Sequence, residues 1–167
     1  RLCSLWVIMA KITKNFTTNE MKKSVKKIIK LALQHLGLDS EDARSLIYRT
    51  GEAESGYKTL QQYGGGPALG FFQMEPNTAI DIWDNYVMYR PKYRDKLYAL
   101  GFDEGTLEFC LLSNIGLQAA FCRLHYRRVP SALPKSNNLE AQAKYWKNYY
   151  NTSAGKGTIK HFIGANN

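Results

Sequence analysis

The sequence predicts a mainly α protein folded as a single domain. Three observations carry that expectation. Apolar residues recur with helical period in several segments, no stretch alternates with period two over a useful length, and no linker or internal repeat divides the 167 residues. Hydrophobic residues make up 44% and aromatic residues 13%, which is enough to fill a core and excludes a disordered chain. The domain is expected over 18–167, with 1–17 as an N-terminal extension.

The first helix starts at Thr18 or Asn19, either of which can cap it, and stops at Gly37. Met21, Val25, Ile28, Ile29, Leu31, Leu33 and Leu36 form its apolar set, against Lys22, Lys23, Lys26, Lys27 and Lys30. A second helix follows Asp39 or Ser40, turns Ala43, Leu46 and Ile47 inward, and runs into Gly51 and Gly56. It is expected to be the central helix and to end at Glu54. Three glycines and a proline at 64–67 make a loop, with a small β-hairpin expected around 60–72. A third helix is capped by Asn77 or Thr78 and stopped by Pro91. The longest helical run spans Thr106 to Arg128, ahead of Pro130. A last helix covers 139–151, followed by a Gly-containing loop and a short tail.

The net charge of +9 is unevenly spread. Residues 1–49 carry ten Lys/Arg against four Asp/Glu, residues 50–118 five against nine, and residues 119–167 eight against one. Two basic arms thus flank an acidic middle, a field that concentrates a polyanionic partner. Nucleic acid, anionic lipid and bacterial cell wall all fit that field. No helix-turn-helix, zinc or RNA-binding signature accompanies it, so no nucleic-acid partner is expected.

Cys3, Cys110 and Cys122 lack metal-ligand spacing and leave one thiol over in any pairing. On one continuous helix Cys110 and Cys122 would lie roughly 18 Å apart, too far for a disulfide. Free thiols are expected, as in a protein made in a reducing compartment. His35, His125 and His161 form no ligand pair, so neither metal nor cofactor is expected. The apolar stretch Leu2–Ala10 falls short of the roughly 20 residues of a membrane span and lacks the flanks of a signal peptide. Two starts are open, Arg1 and Met9.

Four segments carry a resemblance. "GEAESGY" (51–57) resembles a helix-ending Glu-Ser signature, and "ALGFFQMEPNTA" (68–79) an Ala-x-Gly-Leu-x-Gln-hydrophobic-x-Pro-x-Thr-Ala segment. "YYNTSAGKG" (149–157) is similar to a groove-closing Tyr-Asn-x-Gly stretch, and "NIGLQAAFCRLHY" (114–126) loosely resembles the family's Asn-x-x-x-Gly-x-x-Tyr-Leu helix. In this order they resemble the lytic transglycosylase and goose-type lysozyme group of the lysozyme-like superfamily, across about residues 43–160. "GGGPALGFFQMEP" followed by "DIWDNY" looks closest to tailed-phage muralytic proteins. The resemblance implies a lysozyme-like fold and cleavage of the β-1,4 bond between N-acetylmuramic acid and N-acetylglucosamine. Glu54 takes the position of the family's indispensable catalytic Glu, beneath a groove formed by 68–76 and 149–152. It also implies bacterial peptidoglycan as the partner and a protein acting as a monomer. Its location would be a phage virion, or the host cytoplasm before release to the wall.

The chemistry is consistent with that assignment. Glycoside cleavage needs a protonated carboxyl beside the leaving oxygen, so a Glu working near neutrality must sit in an apolar setting. "ALGFF" and the aromatic "YWKNYY" run are available to enclose Glu54. Glu52 is the rival, but residues two apart on a helix face different sides. By resemblance Ser55 helps to position substrate or carboxylate. Gln73 offers an amide to sugar hydroxyls or stabilises its loop. Tyr150 reaches toward the catalytic carboxyl or simply packs. Asn151 contacts a substrate amide or forms a turn. Glu75 departs from the family, which has a small or apolar residue before the proline. It is either a second carboxylate acting as base or nucleophile, or a surface group at a helix N-terminus. Asp81 and Asp84 are weaker candidates for that second role. Without one, the resemblance implies attack by the substrate's own C6 hydroxyl, leaving a 1,6-anhydro sugar. The other class of function the sequence permits is a cationic protein binding the cell envelope or anionic lipid through helix 20–37.

Overall fold

A computed structural model describes residues 18–152 and 155–167. The extension 1–17, with Cys3 and both starts, lies outside the described residues, as does the side chain of Thr18. The chain is mainly α and forms one domain. Eight α-helices are present among the described residues: α1 (Thr18–Leu36), α2 (Glu41–Glu54), α3 (Pro76–Ile82), α4 (Pro91–Ala99), α5 (Leu107–Ser113), α6 (Ile115–Arg127), α7 (Leu139–Trp146) and α8 (Ile159–Ala165). α3 continues into a π-helical turn at Trp83–Val87 and α7 into another at Lys147–Asn151.

The first two helices follow the pattern of the sequence. α1 buries Val25, Ile29, Ala32, Leu33 and Leu36, and ends where Gly37 takes φ +71°. Leu31, expected inward, is exposed, because it falls on the lysine side of the stripe. Ser40 caps α2 by accepting from the Ala43 N–H, and Ala43, Leu46 and Ile47 are fully buried.

Four expectations need correction. α3 starts at Pro76, not after an Asn77 or Thr78 cap; proline at the first helical position has no N–H to leave unpaired. Pro91 likewise begins α4, a helix that the low apolar content of 91–99 concealed. The run 106–128 is two helices, α5 and α6, broken at Asn114. The Asn114 Oδ1 accepts from the Leu117 N–H at 3.0 Å while its Nδ2 donates to the Leu100 carbonyl. Cys110 and Cys122 therefore stand on different helices; both are buried free thiols. Finally, no hairpin forms at 60–72. The described residues there make only isolated antiparallel bridges, Gln61 with Leu69 and Leu69 with Met74.

The helix enclosed on all sides is α6, not α2. Every residue from Leu117 to Leu124 is buried, as expected of a helix that packs against neighbours all round. On one side of α6 lie Leu36, Ile82, Trp83, Leu97 and Phe102; on the other lie Val25, Leu33, Leu46, Ile47 and Phe72. A smaller cluster of Ala53, Ala143, Trp146 and Phe162 joins the end of α2 to α7 and α8. Tyr150 packs against all three clusters. The last turn of α2 is thereby held between the main core and the C-terminal helices.

Candidate active site

Glu54 is the last residue of α2, and the chain turns sharply behind it through Gly56 and Tyr57, both with φ +58°. Gly51 permits this turn, because a Cβ there would collide with the Tyr57 ring folded back against the helix. The Tyr57 hydroxyl donates to the Tyr48 carbonyl at 2.8 Å and so locks the fold-back.

The Glu54 carboxyl points toward the aromatic C-terminal segment. Its Oε1 accepts from the Trp146 Nε1–H at 2.8 Å. Oε2 has no hydrogen-bond partner among the described residues, and the residue is partly exposed. Burial pushes the carboxyl up to about 7, against the opposing pull of the Trp146 N–H and the nearby His161. His161, on α8, is fixed by a 2.7 Å bond between Nε2 and the Ala53 carbonyl. A carboxyl in this state is a proton donor with one oxygen free for a substrate.

Glu52 has the opposite surroundings. Lys22 Nζ lies 2.8 Å from its Oε2 and the Tyr48 hydroxyl donates to its Oε1 at 2.5 Å. Both oxygens are used, Oε2 in joining α1 to α2 and Oε1 within α2 itself.

The loop 68–76 reaches the end of α2 through bonds to main-chain carbonyls. The Ser55 hydroxyl donates to the Phe71 carbonyl at 2.7 Å and accepts from the Tyr57 N–H. Ser55 thus fixes the loop beside Glu54. The buried Gln118 of α6 accepts from the Phe71 N–H at 2.9 Å. Gly70 passes so close to α5 and α6 that a Cβ would stand 2.6 Å from the Leu111 carbonyl and 2.7 Å from the Gln118 amide carbon. The Gln73 Nε2 donates to the Gly70 carbonyl at 2.8 Å, while its Oε1 has no partner among the described residues.

Tyr150 does not bond the Glu54 carboxyl. Its hydroxyl donates to the Phe72 carbonyl at 2.7 Å, so it joins the segments expected to form two groove walls. It remains close enough that the charge of Glu54 contributes to holding the phenol protonated, after burial. The Asn151 Oδ1 accepts from Lys147 Nζ at 2.8 Å, and the same ammonium donates to the carbonyls of Thr152 and Gly155. Lys147 therefore closes the loop that follows the π-turn. Gly157 lies against Trp146, where a Cβ would stand 2.5 Å from the indole.

Glu75 is exposed at the N-terminus of α3, makes no side-chain cap bond, and is linked to Glu54 by no hydrogen bond. Asp81 is committed elsewhere, bonded by Arg128 at 2.7 Å and by Asn85, and both hold its carboxyl below the usual range. Asp84 is exposed on the π-turn.

Three non-glycine residues among those described have positive φ: Tyr57, Gln73 and Thr152. Tyr57 follows the end of α2, and Gln73 and Thr152 lie in the two segments expected to form the groove walls. Such conformations cost of order 1–3 kcal/mol each and persist where the surroundings over-determine them.

Trp146, Gln118 and His161 were not singled out from the sequence. Trp146 lay within the aromatic run expected to enclose Glu54. Gln118 is legible only as a polar residue inside an apolar helical run, where burial requires a hydrogen-bond partner. Comparison with protein-family models, with curated proteins and with solved structures finds no match to this chain.

Proposed function

We propose that the protein is a peptidoglycan glycosidase, cleaving the β-1,4 bond between N-acetylmuramic acid and N-acetylglucosamine with Glu54 as general acid. One observation carries this reading: a carboxyl at a helix end, buried enough to be raised to about 7, yet partly exposed and with one oxygen that no described residue bonds. A group half-protonated near neutrality can deliver a proton to a glycosidic oxygen and recover it afterwards. The motif resemblance supplies the substrate. It agrees with the placement of Gln73, whose free amide oxygen is available to a sugar N–H. Peptidoglycan is anionic, which the basic arms favour. The protein would meet it as part of a phage particle or on release at lysis.

The envelope-binding alternative relies on α1, whose apolar face is buried in the core, so only its basic face would meet a surface. No helix among the described residues is long and apolar enough to cross a membrane.

The deciding experiment digests purified peptidoglycan with the wild type and with Glu54→Gln, resolving products by mass spectrometry. Loss of about 10²–10⁴-fold in rate is expected for the variant, the usual worth of a general acid. Reducing-end products would identify a hydrolase; products lighter by one water would identify a transglycosylase. Absence of sugar-chain cleavage by the wild type on several wall types would end the glycosidase reading.

A further inference from the structure

A second site lies away from Glu54, where the π-turn after α3, the start of α4 and the end of α6 meet. They enclose an open cavity of about 550 Å³ lined by Tyr86, Arg90, Tyr93, Arg127 and Arg128, among others. No carboxylate is among its lining residues.

Its positive charge is incompletely neutralised. Arg128 is paired with Asp81. Arg90 lies over the Tyr86 ring, 3.9 Å from its centroid, and donates one N–H to the Tyr86 carbonyl, which fixes the guanidinium without neutralising it. Arg127 makes no hydrogen bond or ion pair among the described residues. Behind them Arg123, one turn earlier on α6, is 8% exposed, and its Nη1 is buried without a partner. Burial and then the charge of Arg127 lower its proton affinity, and Tyr93 is a neighbour of both. Lys92 also lines the cavity, but its ammonium lies beside Gly37 at the end of α1. The nine-residue α4 starts at the cavity with no side-chain cap, adding a positive helix end.

A second cavity, about 720 Å³ between α1, α2 and residues 136–137, is also rich in cations but differs in state. Arg44 is held there by Asp39, Arg49 by Gln142 and the Ser136 carbonyl, and Lys26 by the Tyr48 ring. Lys30 lies near the Asp39 carboxylate there and Glu41 joins the lining, whereas the Arg90 and Arg127 guanidinium groups of the first cavity are paired with no carboxylate.

We infer that the Arg90–Arg127 cavity is a binding site for the phosphate groups of an anionic polyol-phosphate polymer. Two planar guanidinium forks suit tetrahedral oxyanions, which accept from both at once. The cavity is much larger than one phosphate. Its Tyr86 and Tyr93 rings, 6.2 Å apart and 17° from parallel, offer an apolar face to the polyol between phosphates. A single rimmed cavity, and not an extended basic track, favours this ligand over nucleic acid. The site stands independently of the glycosidase reading, so its test reads binding and not turnover.

Calorimetric titration with poly(glycerol phosphate) tests it on the wild type, Arg127→Gln, Arg90→Gln/Arg127→Gln and a charge-matched control, Lys23→Gln/Lys27→Gln. Because Arg127 makes no bond, its single variant leaves the fold intact. Binding is expected to weaken about tenfold or more in the double arginine variant, measurably in the single one, and within about twofold in the control. Inorganic phosphate should compete, at a higher phosphate concentration than the polymer needs. Equal losses in both double variants would reduce the effect to net charge and overturn the site. So would no binding by the wild type, failure of phosphate to compete, or free phosphate binding as tightly as the polymer. Tighter binding of an oligonucleotide of equal phosphate content would reassign the cavity to nucleic acid.

Discussion

Glu52 and Glu54 occupy the same last turn of α2 and meet opposite conditions. Two residues of α-helix rotate a side chain by roughly 200°, so one carboxyl faces α1 and the other α7. Toward α1, Glu52 finds an ammonium and a phenol and has both oxygens occupied. Toward α7, Glu54 finds an indole N–H, apolar burial and no bonded cation. Desolvation is compensated in the first case and left standing in the second. The comparison shows that the proton affinity of a carboxyl is raised by what is withheld from it as much as by what surrounds it.

The largest effect that sharpens this contrast, beyond the loss of turnover in Glu54→Gln, is on stability against pH. The Glu54 carboxyl has a folded value of about 7 against an ordinary 4.5. Between these values the folded state holds more protons than the unfolded one, so stability falls as pH rises. The stabilisation is fully present below about 4.5 and lost through about 7, amounting to on the order of 3 kcal/mol at most. Urea unfolding of the wild type at intervals from pH 4 to 8 should show this decline, and Glu54→Gln should abolish most of it. The acid limb of kcat/KM should likewise fall above pH 7.

Glu52→Gln should act in the opposite sense. It removes an ion pair whose carboxylate is only 9% exposed and weakens the Tyr48 bond, at about 1–3 kcal/mol of stability. Turnover per folded molecule should stay near wild type. A loss of activity matching that of Glu54→Gln, with the fold intact, would exchange their roles.

Trp146→Phe addresses the one hydrogen bond Glu54 makes. The indole N–H favours the ionised carboxyl, so its removal should move the kcat/KM limb to higher pH. Trimming a residue 1% exposed also costs about 1–3 kcal/mol in unfolding measurements. A limb that stays in place would mean that burial alone sets the proton affinity.

These contrasts also show what the sequence could convey. The end of α2 at Glu54, the α1 boundaries and the different facing of Glu52 follow from helical period and caps, which are local. The break at Asn114 was harder, because apolar period continues across it and only the Asn side chain interrupts it. Pro91 reads as a terminator although proline is equally suited to a first turn, and the sparse apolar pattern after it does not distinguish the two. At the site, Trp146 precedes the π-turn at 147–151 and Tyr150 lies within it. Trp146 packs on Phe162 and Tyr150 on Tyr126, contacts between distant segments that no local pattern encodes.

The smallest effect decides whether Tyr150 serves the carboxyl or the loop. Its hydroxyl donates to the Phe72 carbonyl, next to the Phe71 carbonyl that Ser55 holds, so the two residues fix adjacent peptide units beside Glu54. Tyr150→Phe and Ser55→Ala should each lower stability by about 1 kcal/mol, the net worth of one hydrogen bond. Neither should shift the pH limb of activity, because neither hydroxyl bonds Glu54. The two losses should be less than additive in the double variant, since both act on one turn of chain. A limb moved by Tyr150→Phe alone would give the phenol a direct part at the carboxyl, and the loop bond to Phe72 would then be one of two alternating partners.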